Sequence, residues 1–290
     1  MTDLGAVFLP QLPPERLREV ALAADASGLD ELWLWEDCFR EAGVSTAAAA
    51  LAWTERVRVG VGLLPVPLRN VALAAMEMAV LHRTFPGRAE MVVGHGVQSW
   101  MGQVGARVAS PLTLLGEHLD ALRHLLAGEE VTTSGRYVQL DGVRLDWPPL
   151  GPVRVLAGAE GAKTLELSGR AADGTVLVAG TTPERQRAAR ERIDAGRAAA
   201  GREDHHRVVT YLLTATGPDA HERMARSRAE WDLPDAEDVA VAGTAEQVAD
   251  AVRRLGAAGA DVVVLQPTAD DPDPAGFAAW AGEQVRPLLR

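Results

Sequence analysis

The 290-residue chain contains one cysteine, Cys38, and one lysine, Lys163. A single thiol excludes an intramolecular disulfide and any zinc site built on several thiolates. Basic charge is also short: 29 Lys and Arg stand against 40 Asp and Glu, for a net charge of −11 and a pI near 5.1. With no basic surplus to neutralise phosphates, nonspecific nucleic-acid binding is disfavoured. The plain consequence of such a charge is solubility. No stretch approaches the roughly 18 apolar residues of a membrane span. The start, Met1-Thr2-Asp3-Leu4, lacks a basic segment followed by an apolar run. The expectation is a cytoplasmic protein with neither membrane nor nucleic-acid partners.

What is present is an ordinary soluble composition, 47% hydrophobic and 24% charged, with ample chain for one domain over residues 1–290. Short apolar runs at 5–9, 31–35, 56–62, 90–93, 153–157, 175–178, 208–214 and 261–266 read as strands. Helical patterns follow at 15–27, 45–54, 71–83, 111–127, 162–171, 182–200, 245–258 and 275–289. Gly28 sits where a C-cap glycine belongs, and Thr182-Pro183-Glu184 carries the marks of a helix start. Residues 131–145 read as a hairpin around Ser134-Gly135. The acidic stretch from Asp235 to Asp238 reads as a solvated loop, and His205 and His206 as surface residues. Strands of continuous hydrophobicity suit a parallel sheet covered on both faces. Eight units without a composition break favour a (β/α)8 TIM barrel, with a short hairpin insertion after the fourth helix, over an open doubly wound sheet.

In such a barrel, chemistry collects on the loops beyond the C-terminal ends of the strands. Beyond the second strand come Glu36, Asp37 and Cys38; Asp37 can orient a polar cofactor edge or a substrate hydroxyl, or simply cap its loop. Trp33 and Trp35 share one face of that strand, an arrangement more often packing than a stacking platform. At the third strand, Gly60, Gly62 and Leu63, then Pro65 and Pro67, either admit a flat ligand or form an ordinary turn. The fourth strand ends Gly94-His95-Gly96, where the imidazole is either an acid or base or a hydrogen-bonding group. The fifth ends Gly158-Ala159-Glu160-Gly161-Ala162-Lys163 and runs straight into a helix. Free amides at a helix N-terminus favour an anion, and Lys163 in the first turn favours a phosphate. The histidines show no metal-ligand spacing.

These segments together resemble the luciferase-like family of flavin- and deazaflavin-dependent oxidoreductases. The resemblance runs through residues 28–33, 36–38, 58–69, 85–96, 155–163, 172–174, 242–248 and 259–261. It implies a barrel, commonly a homodimer, that uses coenzyme F420 or FMN at the strand ends. A non-proline cis peptide after the third strand, at Gly62-Leu63, would support the cofactor ring, and the Gly158–Gly161 loop would meet its phosphate. Asp37 and His95 would approach the ring or the substrate, as tentative catalytic groups. Members that oxidise sugar phosphates carry His where Cys38 stands and Glu where Val97 stands, so that reaction is not expected. The expected activity is hydride transfer between F420 and a small organic substrate. The alternatives are an FMN-dependent monooxygenase using reduced flavin and O2, and a flavin- or deazaflavin-binding protein without turnover. A non-redox aldolase or isomerase is disfavoured, because Lys163 begins a helix instead of ending a strand.

Overall fold

The computed structural model describes residues 2–233 and 238–290, so residues 235–237 of the acidic stretch lie outside the described residues. Eight parallel strands close into a barrel: β1 (Asp3–Phe8), β2 (Glu31–Leu34), β3 (Arg58–Pro65), β4 (Ala89–Gly94), β7 (Val155–Gly158), β8 (Gly174–Leu177), β9 (Arg207–Ala215) and β11 (Val262–Pro267). Each pairs with the next, β8 pairs with β9, and β11 joins β9 to β1, which closes the ring. The hairpin β5 (Val131–Ser134) and β6 (Gln139–Val143) is antiparallel and stands apart, after the fourth long helix as expected. A three-residue strand, β10 (Ala240–Ala242), adds to the C-terminal half of β9.

The helices are α1 (Leu17–Ser27), α2 (Gly43–Trp53), α3 (Val71–Thr84), α4 (Gln98–Gln103), α5 (Pro111–Leu126), α6 (Ala162–Ala171), α7 (Pro183–Ala199), α8 (Ala220–Glu230), α9 (Ala245–Ala257) and α10 (Pro274–Trp280). Local signals set their ends. Gly28 closes α1 at φ 76°, a left-handed conformation that suits glycine. The Thr182 hydroxyl accepts from the Arg185 N–H to open α7, and Thr244 with Gln247 forms a capping box on α9. The closing helix is not regular throughout: beyond α10 it passes through a π turn and a 3-10 turn. Helices α4 and α8 and strand β10 add to the elements read from sequence. The buried side of α8 is Ala220, Arg223, Met224 and Ser227, half of it polar, so no apolar stripe announces it.

Two cores result. One lies between the barrel and its helices; the other fills the barrel with Val7, Trp33, Val92, Leu156, Val209, Tyr211 and Val264 among others. Trp33 is wholly buried there, so the packing alternative holds for it. Gly60 makes that possible: a methyl group on it would fall 2.6 Å from the indole. Charged groups close the N-terminal end. Glu31, 1% exposed, accepts from Trp33 Nε1 at 2.8 Å, from Arg58 Nε at 3.0 Å and from Arg207. Glu90 pairs with Arg154 on the same floor. A buried carboxylate held by two guanidiniums is satisfied, and the opposite end of the barrel is left as the mouth.

His206 departs from the surface reading. It is 0% exposed, with Nε2 2.8 Å from Thr175 Oγ1, whereas His205 beside it is solvent-facing and meets Asp261. Alternation along the start of β9 turns one of two adjacent histidines inward.

Candidate active site at the barrel mouth

The loop after β2 carries three acids with three different environments. Glu36 is spent on structure: it accepts from Arg69 Nη2 and from the Gly43 N–H, both at 2.8 Å, fastening the loop to the start of α2. Asp37 is partly buried, and that burial raises its carboxyl above the ordinary range, opposed by the charge of Arg40. Glu41 was not among the residues singled out from sequence. Both of its carboxylate oxygens are shielded from solvent and neither has a hydrogen-bond partner. Burial first, and then the neighbouring Asp37 charge, push it up to about 7. Cys38 lies between; burial and the Glu36 and Asp37 charges raise its thiol, which suppresses the thiolate needed of a nucleophile.

An aromatic cluster adjoins the start of this loop. Trp35 and Tyr211 meet edge to face with centroids 5.6 Å apart, and Trp231 stands 6.4 Å from Trp35. Tyr211 is 5% exposed and its hydroxyl has no hydrogen-bond partner, although the Trp35 indole N–H lies near it. Burial pushes its phenol well above the usual value. The hydroxyl is aimed at Gly62, where a methyl group would fall 2.5 Å away. The space beside Gly62 within the barrel is therefore filled by an aromatic side chain of the protein.

The Gly62–Leu63 peptide is cis, at the position the resemblance implies; Cys38–Phe39 is cis as well, which nothing in the sequence indicated. Leu63 reaches across the mouth over two glycines. A methyl group on Gly94 would fall 2.6 Å from Leu63 Cδ2, and one on Gly158 would also collide with it. The tips of β3, β4 and β7 thus converge on the Leu63 side chain.

His95 follows Gly94, and Gly96 takes φ 66° to turn the chain away. The Gln98 amide donates to the carbonyls of His95 and Gly96, which secures the tip. His95 Nε2 lies 3.3 Å from Thr164 Oγ1 in the first turn of α6. Burial keeps the ring below the usual histidine range, against the pull of the Pro111 carbonyl, so it is neutral at pH 7. Its Nδ1 is buried without a partner.

The Gly158–Lys163 segment leads into α6 as read from sequence. Ala159 is buried, while Glu160, Gly161, Ala162 and Lys163 are exposed. Gly161 is the N-cap and has no side chain to cap with, and the N–H groups of Ala162 and Lys163 make no hydrogen bond among the described residues. Lys163 has no hydrogen-bond or ion-pair partner among them either. A helix N-terminus with uncapped amides and a free ammonium suits an anionic group.

The structure therefore gathers Gly62, Leu63, Gly94, His95, Gly96 and the 158–163 segment on one side of the mouth. Asp37 and Glu41 belong to the loop after β2, and Trp35 packs on Tyr211, whose hydroxyl reaches Gly62. No hydrogen bond joins Asp37 to His95. No group of three His, Cys, Asp or Glu side chains placed to hold a metal ion occurs among the described residues, and no helix among them is long and apolar enough to cross a membrane. Clefts of about 300 and 350 Å³ occur beside β10 and α9 and beneath β4, and neither is lined by the residues gathered at the mouth.

Comparison with known proteins places this geometry. Residues 3–259 match the luciferase-like monooxygenase family. A 5,10-methylenetetrahydromethanopterin reductase of Methanolobus tindarius is 30% identical over 217 residues, covering 74% of this chain and 66% of that protein. An F420-dependent glucose-6-phosphate dehydrogenase of Nakamurella multipartita is 30% identical over 188 residues, covering 60% of this chain and 55% of the relative. The aligned part thus spans slightly under two thirds of the first relative and about half of the second. Among solved structures, an F420-dependent secondary alcohol dehydrogenase in complex with an F420-acetone adduct superposes with TM-score 0.88. It is 21% identical, and the match covers 100% of this chain and 99% of that one. The coenzyme F420-dependent tetrahydromethanopterin reductase of Methanopyrus kandleri gives TM-score 0.83 at 20% identity, with coverage of 100% and 99%.

Proposed function

The chain belongs to the luciferase-like monooxygenase family, and from that membership and the shape of the barrel mouth we propose that it is a coenzyme F420-dependent oxidoreductase. It moves a hydride between C5 of the deazaflavin and a small organic substrate. The observation that carries this reading is the contact between His95 and Thr164, 3.3 Å apart. It joins the β4 tip to the uncapped start of α6, so an anion site and the Leu63-covered strand tips lie on the same mouth.

The residues present suit such a group. The first-turn amides of α6 and the Lys163 ammonium would take the phosphate. Gly94 and Gly158 seat the Leu63 side chain where the tips of β3, β4 and β7 converge, a surface against which a flat ring would pack, and the orphaned Nδ1 of His95 offers it a hydrogen bond. Bound there, the deazaflavin supplies the two-electron chemistry, while the protein supplies orientation and electrostatics. His95, neutral at pH 7, positions by hydrogen bonding and adds no positive charge.

The curated relatives favour F420 over FMN, since four of them are F420-dependent glucose-6-phosphate dehydrogenases by name. Some structural neighbours carry FMN, among them the oxygenating constituent of a 3,6-diketocamphane monooxygenase, at TM-score 0.80 and 16% identity. Fluorescence titration of the purified protein with each cofactor decides between them. Binding of F420 with weak or no binding of FMN is expected; tight FMN binding without F420 binding would overturn the proposal. The row Leu73, Met76 and Val80 on α3, each about half exposed or more, supports the homodimer that the resemblance implies.

A further inference from the structure

The cleft of about 350 Å³ at the N-terminal ends of β4 and β7 is lined by two residues that each bury a polar atom without a partner. Glu90, near the start of β4, is 5% exposed. Its Oε1 accepts from Arg154, whose Nε lies 3.1 Å away, while Oε2 is buried and unpartnered. His82, on α3, is the second: its Nε2 is buried and unpartnered. Burial, and then the Arg154 charge, hold this ring down to about 4, so it is neutral at pH 7. Buried polar groups in folded proteins are almost always hydrogen-bonded, and exceptions call for a specific reason. Apolar walls surround these groups: Pro86, Pro149, Leu150 and Pro152. The outer wall is fastened to α3, because Arg83 lies over the Trp147 ring at 5.3 Å and donates to the Pro148 carbonyl at 2.9 Å. No residue of this cleft has a part in the proposed activity, and Glu90 stands roughly 16 Å from His95 along β4.

We infer that this cleft is a second binding site, for a small neutral molecule whose flat ring carries an amide edge, an N–H donor beside a carbonyl acceptor. The Glu90–Arg154 pair dictates the edge. A carboxylate oxygen only accepts and a guanidinium only donates. Oε2 of Glu90 is open to a donor, and Nη1 of Arg154 makes no hydrogen bond among the described residues. A ligand that satisfies both must therefore offer one donor and one acceptor. The two charges cancel, so a cation would meet the Arg154 guanidinium and an anion the Glu90 carboxylate; the neutral His82 ring adds no net attraction for either. The body of the ligand follows from the walls, since prolines and Leu150 offer flat apolar faces that suit a ring. The volume is that of a small-molecule pocket, and a wall held by Arg83 needs little ordering when the ligand arrives. This site is independent of the cofactor reading, because it uses the floor end of β4 and none of the groups at the mouth.

The test titrates the full ¹⁵N-labelled chain with three probes that share one ring: benzamide, with donor and acceptor; benzamidine, a cation that only donates; and benzoate, an anion that only accepts. Benzamide should shift the backbone amides of Gly87, Glu90, Gly151 and Arg154 and leave those of His95 and Gly161 in place. Benzamidine and benzoate should bind about tenfold more weakly, each leaving one of the paired groups unmet. Arg154→Gln removes the counter-charge of Glu90, so the order should invert and benzamidine should become the tightest of the three. Leu150→Asp, at an exposed position of the wall, should weaken benzamide about fivefold with the fold intact, and it carries the test should Arg154→Gln fail to fold. Shifts confined to the mouth, or none at millimolar benzamide, overturn the inference. Equal affinity for the three probes, or unchanged benzamide binding in Leu150→Asp, overturns it as well. None of these outcomes bears on F420 binding, which is measured separately.

Discussion

Helix α6 begins at the proposed cofactor anchor, and its placement rests on two glycines that can be tested directly. Gly169 of α6 and Gly196 of α7 let the two helices touch backbone to backbone. A methyl group on Gly169 would fall 2.8 Å from the Ile193 carbonyl carbon and 3.1 Å from its Cα; one on Gly196 would fall 2.8 Å from the Glu166 carbonyl carbon and 3.0 Å from its Cα. Neither obstacle is a side chain able to swing aside, so the helices must separate. Overpacking of this kind costs about 1–3 kcal/mol. The better helix propensity of alanine returns about 0.5–1 kcal/mol. The net loss for Gly169→Ala is then about 2 kcal/mol toward the upper end, or a fall in Tm of about 4 °C at the ~2 °C per kcal/mol of a long chain.

Gly116 of α5 provides the control, because a methyl group there meets Leu167 Cδ1 at 3.5 Å, an ordinary contact. Gly116→Ala should therefore keep the propensity gain and raise Tm by about 1–2 °C. Thermal unfolding followed by circular dichroism reads both signs. F420 affinity should fall in Gly169→Ala and hold in Gly116→Ala, since only the first moves the start of α6 relative to His95. Equal or greater stability in Gly169→Ala would refute the backbone contact and the account of how α6 is placed.

Other consequences follow from charge and exposure. His82, His118 and His206 are each held down to about 4, by burial above all, against an ordinary 6.5. The unfolded chain binds these protons first, so stability is full above 6.5 and is lost as pH falls towards 4. By pH 5 each contributes a loss of about 1–2 kcal/mol, and urea midpoints at pH 7 and 5 should differ accordingly; equal midpoints would sink the claim. Glu41 has the opposite sign: its raised folded value makes stability fall as pH rises from about 4.5 through about 7. Discounted for screening, Glu41→Gln should be more stable than wild type at pH 8 by about 1–2 kcal/mol, which calorimetry can check. Lys163→Gln should weaken F420 binding about five- to tenfold and flatten its salt dependence, measured by titration at two ionic strengths. Met76→Glu on α3 should shift the mass measured by light scattering from dimer to monomer.

The barrel was legible because each parallel strand is apolar on both faces, and runs such as 262–265 can be little else. What escaped reading escaped for particular reasons. Helix α8 buries Arg223 and Ser227, with Arg223 held by Thr268 at 3.0 Å and Asp271 at 2.8 Å, so its inner face is polar. His206 differs from its surface neighbour only by the alternation of a strand whose register begins one residue later. Strand β10 is three residues long and is defined by its partner β9 more than by its own pattern. At the mouth, the glycine-rich tips and Lys163 were visible as composition, whereas Glu41 reads as one more loop acid. Its burial comes from the way residues 36–43 fold back, fastened by Glu36 to Arg69 and Gly43, and that tertiary fact has no local signature.

The two ends of the barrel deal with buried acids in opposite ways, and the contrast explains where reactivity can reside. At the floor, both oxygens of Glu31 are occupied, one by Arg58 and Arg207 and the other by the Trp33 indole. At the mouth, Arg69 is bound to Glu36, while both Glu41 oxygens are shielded and without a partner. Desolvation without a counter-ion favours the neutral acid. The floor thus sets Arg58, Arg207 and Arg154 against Glu31 and Glu90, whereas the loop after β2 has Arg69 on Glu36 and leaves the Glu41 oxygens without a partner.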